Sequence, residues 1–146
     1  MISYPLLGYD DFMEYISTRS LNKVTIEEAL LSGTANDGGL YLPNRIPKID
    51  QNDFIKIDDY ATFSTRMLSP YFYGSILEKS LERIINQSFN FSVHIRNIDN
   101  SSPSLSMLEL YHGPTAAFKD FGARFLAQCS AEIQRKKNDV KRTILV

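Results

Sequence analysis

The chain of 146 residues contains one cysteine, Cys129, and no tryptophan. A single cysteine excludes a disulfide framework and a cysteine-based metal site, so no metal centre is expected. Long apolar runs are absent too: none approaches the ~20 residues needed to cross a bilayer. The opening stretch, Met1 to Asp10, is too short and too polar for a signal peptide. A cytoplasmic protein is therefore expected. Charge of one sign is not in excess, the formal net charge being −1, which argues against general affinity for nucleic acid or an anionic membrane. The basic cluster Arg135, Lys136, Lys137, Lys141 and Arg142 is local and suits a helix C-terminus, where the dipole favours cations. No repeat and no low-complexity segment interrupts the chain.

What is present is ordinary soluble-protein material, with 43% hydrophobic and 23% charged residues. Nine Phe and eight Tyr can build a sizeable core. The length fits one mid-sized domain, or a small domain with part of another. Thr25-Ile26-Glu27-Glu28 has the form of a capping box and opens a helix whose apolar face holds Ile26, Ala29 and Leu30, with Gly33 as its stop. Ser75-Ile76-Leu77-Glu78 repeats the pattern and predicts a helix with Leu77, Leu81, Ile84 and Ile85 on one side. Between them, residues 58–71 read as a helix burying Tyr60, Phe63, Met67 and Leu68. Residues 13–18, 40–42 and 93–98 are candidate strands. Asp37-Gly38-Gly39 is a turn, because glycine tolerates positive φ.

Residues 97–103, rich in Asn, Ser, Asp and Pro, form the expected seam of the chain. Beyond it the pattern changes. Residues 105–111 read as a strand and His112-Gly113-Pro114-Thr115 as a tight loop. A long helix from about Ala117 carries Phe118, Phe121, Phe125, Leu126, Cys129 and Ile133 on one face. Thr143 to Val146 has the all-apolar character of a buried parallel strand. Strand, loop, helix and strand make a βαβ unit, so an α/β fold is expected. It comprises a small, mostly helical domain with short strands over residues 1–97, then the incomplete beginning of a parallel-sheet domain over 98–146. A strand so apolar needs further strands beside it, so a piece of a longer protein is expected.

The residue with chemical interest is Lys119. In the first turn of a helix a cation meets the positive end of the dipole. Ala116, Ala117, Phe118 and Phe121 are expected to desolvate it further, and both effects favour the neutral amine. A neutral amine is what condenses with an aldehyde to a Schiff base. By position alone the commoner outcome is a surface lysine paired with Asp120. His112 reads as a hydrogen-bonded loop residue, His94 as solvent-facing or paired with a strand neighbour, Cys129 as core and Arg124 as part of an ion pair.

The segment His112-Gly113-Pro114-Thr115-Ala116-Ala117-Phe118-Lys119-Asp120-Phe121-Gly122, continuing through Arg124, resembles the pyridoxal-phosphate (PLP) lysine motif of threonine synthases. A second resemblance to the same family lies in Tyr15-Ile16-Ser17-Thr18-Arg19, Glu28 to Gly33 and Asp37-Gly38-Gly39-Leu40-Tyr41-Leu42-Pro43. The departures are Ser20, Asn36 and Ala116, and none touches the lysine. The resemblance implies a fold-type-II PLP enzyme with a small N-terminal domain. It implies a lyase of threonine biosynthesis that converts O-phospho-L-homoserine and water into L-threonine and phosphate. Lys119 would be the catalytic residue and the Schiff-base lysine, with Phe118 and Asp120 beside the cofactor. In this family the turn that binds the cofactor phosphate follows the strand that residues 143–146 resemble. The 146-residue piece is accordingly expected to bind PLP weakly or not at all by itself. Two alternatives stay open: another PLP-dependent lyase of the same fold, or a non-catalytic module that kept the fold. Nothing in the pattern speaks for an oligomeric state.

Overall fold

The computed structural model describes residues 12–99, 101 and 105–138. Strand β1 (Tyr15–Ser17) is the centre of a small antiparallel sheet, flanked by β2 (Lys23–Val24) and β3 (Tyr41–Pro43). Helix α1 (Ile26–Ser32) follows β2. Its capping box forms as expected: Glu28 N–H donates to Thr25 Oγ1 and Thr25 N–H donates to Glu28 Oε2. Gly33 ends it at φ 70°, a conformation that costs glycine little.

The turn motif knits β1 to β3. Asp37 Oδ1 accepts from Ser17 Oγ at 2.8 Å and from the Gly39 N–H at 2.9 Å. Arg19 Nη1 donates to the Asp37 carbonyl at 3.2 Å, and the Leu40 N–H donates to Thr18 Oγ1 at 3.0 Å. A side chain at position 39 would collide with the Ser17 hydroxyl, so the second glycine is there for close approach. These bonds hold the Asp37 carboxyl below its ordinary range, the Ser17 hydrogen bond first among them.

Helix α2 (Tyr60–Leu68) is capped by Asp59, whose Oδ1 accepts from the Thr62 N–H, and runs into a 3₁₀ turn at Ser69–Phe72 that contains Pro70. The helix expected from Ser75 starts later. Residues 78–80 form a 3₁₀ turn and helix α3 spans Leu81–Ser88. Ser75 Oγ accepts instead from the Leu77 N–H, and Glu78 reaches back to the Gly74 N–H. The side chains of the capping motif are thus spent on a turn, and Gly74 at φ 75° redirects the chain there. Strands β4 (His94–Asp99) and β5 (Leu105–Glu109) pair antiparallel, with a bulge between Asn97 and Asp99. Of the seam expected over residues 97–103, residues 97–99 belong to β4, and 100, 102 and 103 lie outside the described residues. The strand expected at 143–146 lies outside the described residues.

Helix α4 (Lys119–Lys137) closes the fold and packs against α3 and α1. One core serves both parts of the chain. Met13, Tyr15, Ile26, Phe72, Leu77, Leu81, Ile84 and Ile85 come from the first part, and Cys129 and Ile133 from α4. Phe125 stacks on Phe89, ring centroids 5.8 Å apart, and meets Phe72 edge-on. Tyr15 is held at the core edge by its hydroxyl, which donates to the Tyr71 carbonyl at 2.9 Å. Burial, before any neighbouring charge, pushes that phenol above its ordinary range.

Two polar anchors fix α4 on α3. Glu132 is buried, its side chain 3% exposed. It accepts from Ser80 Oγ at 2.7 Å, from Arg135 Nη2 at 2.8 Å and from Arg83. Arg124 caps the C-terminus of α3: its Nε donates to the Ser88 carbonyl at 2.8 Å and its Nη2 to Asn90 Oδ1 at 2.7 Å. The ion pair expected of Arg124 is replaced by this cap. Asn138 stops α4 in the left-handed conformation, φ 51°.

Three predictions follow from this packing. Ile84→Ala and Ile133→Ala remove fully buried side chains, and each should cost about 2–5 kcal/mol in denaturant unfolding. Glu132→Gln should cost about 1–2 kcal/mol at neutral pH, the low end because Arg83 and Arg135 face solvent. The Arg135 hydrogen bond, followed by those from Ser80 and Arg83, holds the Glu132 carboxyl well below its ordinary range. Its stabilisation is therefore complete above the ordinary carboxylate range and is lost as pH falls, so the difference between wild type and Glu132→Gln should narrow below about pH 4. Burial pushes the Cys129 thiol up to about 12, so a thiol-specific reagent at neutral pH should label it only after unfolding.

Candidate functional site

Strand β5 delivers the chain to the motif loop, and α4 begins where the loop ends. Glu109 is the last residue of β5 and the one residue of the two hairpin strands that is not exposed. Its Oε2 lies 2.7 Å from His112 Nε2. The hydrogen bonds from His112 first, then from Tyr111, hold the Glu109 carboxyl below its ordinary range. The His112 ring also meets His94 edge-on at 4.6 Å and Tyr111 at 4.7 Å between centroids. His112 is thus the hydrogen-bonded loop residue expected, and His94 is exposed, with its Nε2 3.1 Å from Ser92 Oγ.

The loop then turns tightly. The Ala116 N–H donates to the Gly113 carbonyl at 3.0 Å, and Ala116 stands at φ 55°. A non-glycine residue there is strained and persists when its surroundings fix it. The Thr115 N–H donates to Asp120 Oδ2 at 2.9 Å. Asp120 is 5% exposed, and a side chain at position 113 would run into its carboxylate. Only glycine lets the two segments approach this closely.

Lys119 is the first residue of α4 and follows Phe118, whose φ −60° and ψ −20° are already helical. The structure corrects the surroundings expected of the lysine. Ala116, Ala117 and Phe118 are exposed, Phe118 at 69%, and so is Lys119. Phe118 does not lie on the buried face of the helix, because that face starts with Phe121 and continues through Phe125, Cys129 and Ile133. The apolar cover that would favour a neutral amine is therefore not built by residues 116–118. The pairing of Lys119 with Asp120 does not form either, since the carboxylate is turned inward onto Thr115. Among the described residues no carboxylate comes within ion-pairing distance of Lys119.

Lys119 thus stands exposed at the start of a helix, after a loop held by side chains at both ends, and Phe118 before it is exposed as well. Among the described residues no group of His, Cys, Asp or Glu could hold a metal ion, and no helix is long and apolar enough to cross a membrane. An open groove of about 440 Å³ lined by Phe12, Ile26, Glu27, Tyr73, Ile76 and Lys137 includes no residue of this loop. Sequence reasoning missed Glu109 and the packing role of Gly113. A Glu three residues before a His, at the end of a strand, was the available signal.

Known proteins give the loop its context. The sequence profile of the family described as threonine synthase N terminus matches residues 14–89. The chain is 34% identical to threonine synthase of Serratia marcescens over 113 residues, which is 76% of this chain and 26% of that protein. It is 32% identical to the Escherichia coli threonine synthase over 118 residues, 79% of this chain and 27% of that one. Among solved structures, threonine synthase from Escherichia coli superposes with a TM-score of 0.75 at 31% identity, over 83% of this chain and 28% of that one. PLP-bound threonine synthase from Brucella melitensis superposes with a TM-score of 0.77 at 30% identity, over 86% of this chain and 28% of that one. The chain therefore spans about a quarter of the length of these relatives. With more than half of its residues inside the profile, and this fold, the chain belongs to the threonine synthase N-terminus family.

Proposed function

We propose that this chain is the N-terminal portion of a threonine synthase, a cytoplasmic PLP-dependent lyase that converts O-phospho-L-homoserine and water into L-threonine and phosphate. The observation that carries the reading is the fold shared with threonine synthases at TM-scores of 0.75 and 0.77, with Lys119 of the motif as the first residue of α4. The similarity to a PLP-bound threonine synthase supports the same cofactor. When bound, PLP supplies an electron sink for a carbanion next to the substrate nitrogen.

The chain's own residues have separable tasks. Lys119 Nζ would hold the cofactor, and its amine would carry protons to and from the substrate carbons. Phe118, exposed just before it in the chain, would offer the cofactor an apolar face. Asp120 contributes from below, by fixing Thr115 and the turn above it. The loop and Lys119 fit a Schiff-base site, while the described residues include no glycine-rich turn with converging N–H groups for the cofactor phosphate.

The test is a chimera in which residues 12–138 replace the matching portion of the Escherichia coli threonine synthase. The chimera should bind PLP with a visible-range absorption band, trap it on Lys119 under borohydride, and form threonine from O-phospho-L-homoserine. Lys119→Ala should remove the band and lower kcat by about 10²–10⁴-fold. Threonine formation undiminished in Lys119→Ala would refute the assignment.

A further inference from the structure

We propose that Glu109 is a positioning residue for Lys119: by holding His112 it pins the entry of the loop, as Asp120 pins its exit, and the two clamps together aim the lysine. This rests on the reading of Lys119 given above.

The argument begins with an imbalance in the hairpin. Ile95, Ile98, Leu105, Met107 and Leu108 are 48–72% exposed, yet the one covered strand residue is a carboxylate, its side chain 11% exposed. Covering a carboxylate costs free energy unless donors satisfy it. Here the His112 ring does so at 2.7 Å. The His112 ring is in turn flanked by the rings of His94 and Tyr111. The direction in which the chain leaves β5 is therefore set by side chains, since the backbone ladder ends at Glu109.

Ten residues after Glu109 the chain must enter α4 with Lys119 at its first position. Between the clamps lies Ala116, in a left-handed conformation that an alanine adopts only when held there. The exit clamp, Thr115 N–H to Asp120 Oδ2, fixes the residue just before it. Glu109–His112 fixes the residue just before Gly113, whose carbonyl accepts the Ala116 N–H. If either clamp opens, Ala116 is held by the other clamp and by its own hydrogen bond to the Gly113 carbonyl, and Lys119 loses part of its fixed bearing. The hydrogen bond forms with a neutral or a charged imidazole, provided that Nε2 carries a proton to donate.

Amide hydrogen exchange on the chain as it stands tests the clamp without the cofactor. Glu109→Ala, which leaves no acceptor, should speed exchange at Thr115 and Ala116 by about tenfold or more, with Ile84, Ile85, Cys129 and Ile133 unchanged. His112→Ala should do the same, while Glu109→Gln, whose amide oxygen still accepts, and His112→Gln, whose amide still donates, should largely keep protection. In the chimera, Glu109→Ala should lower borohydride trapping of PLP on Lys119 and kcat together, by about tenfold, with KM little changed. Unchanged exchange in both Glu109→Ala and His112→Ala overturns the proposal. So does a loosened loop with trapping and kcat intact, which would make the clamp structural only. A wild-type chimera that never loads Lys119 sinks the proposed function instead, and the exchange result then decides the clamp alone.

Discussion

Helices α3 and α4 meet along Ile84, Ile85, Cys129 and Ile133, all of them fully buried, and the remaining structure is arranged around that contact. The α3 residues lie in the stretch that the family profile matches, and the α4 residues lie well beyond it. Without α4, the side of α3 that carries Ile84 and Ile85 would lose its cover; without α3, α4 would be left with its packing on α1 and on rings such as Phe72. Burial of this kind is worth roughly 25 cal/mol per Å² of apolar surface, and it has no directional preference of its own. Direction comes from the polar groups at its border. Glu132 gathers Ser80, Arg83 and Arg135, and Arg124 covers the open carbonyls at the end of α3. These contacts fix which turn of α4 sits on which turn of α3.

That registration decides where the lysine stands. From Ile133 in the core to Lys119 at the helix start is a rigid span of about 21 Å. The N-terminus of α4 therefore projects away from the core, with Lys119 and Phe118 in the open. An amine on a helix that is anchored at its far end is placed by packing and needs little from the loop except direction. The loop supplies direction through the carboxylates Glu109 and Asp120, each accepting from the segment it must hold. The hairpin above the loop contributes backbone pairing but leaves apolar side chains of both strands exposed. Similarity to relatives about three times as long gives that exposure a natural context.

Much of this was legible in the chain of letters. The Thr25–Glu28 capping box, the Gly33 stop, the Asp37-Gly38-Gly39 turn and the apolar stripe from Phe121 to Ile133 are short-range patterns, and each forms where the pattern puts it. The Ser75–Glu78 box misled because the same side-chain chemistry satisfies a turn as well as a helix, and Gly74 tips the choice. Phe118 was placed on the wrong face because helical periodicity was extended one turn too early. The motif itself, His112 through Gly122, was enough to single out Lys119.

What the sequence determined by itself is the identity of the local pieces: caps, turns, helix faces and the lysine at a helix start. These depend on interactions within a few residues, where the chain has little freedom. Only the tertiary structure decided that both parts share one core, that Arg124 caps a helix 36 residues away, that the Asp120 carboxylate turns inward, and that Lys119 stands uncovered. Those outcomes depend on which distant surfaces meet, and on donors and acceptors that become neighbours only after the apolar faces of α3 and α4 have closed on each other.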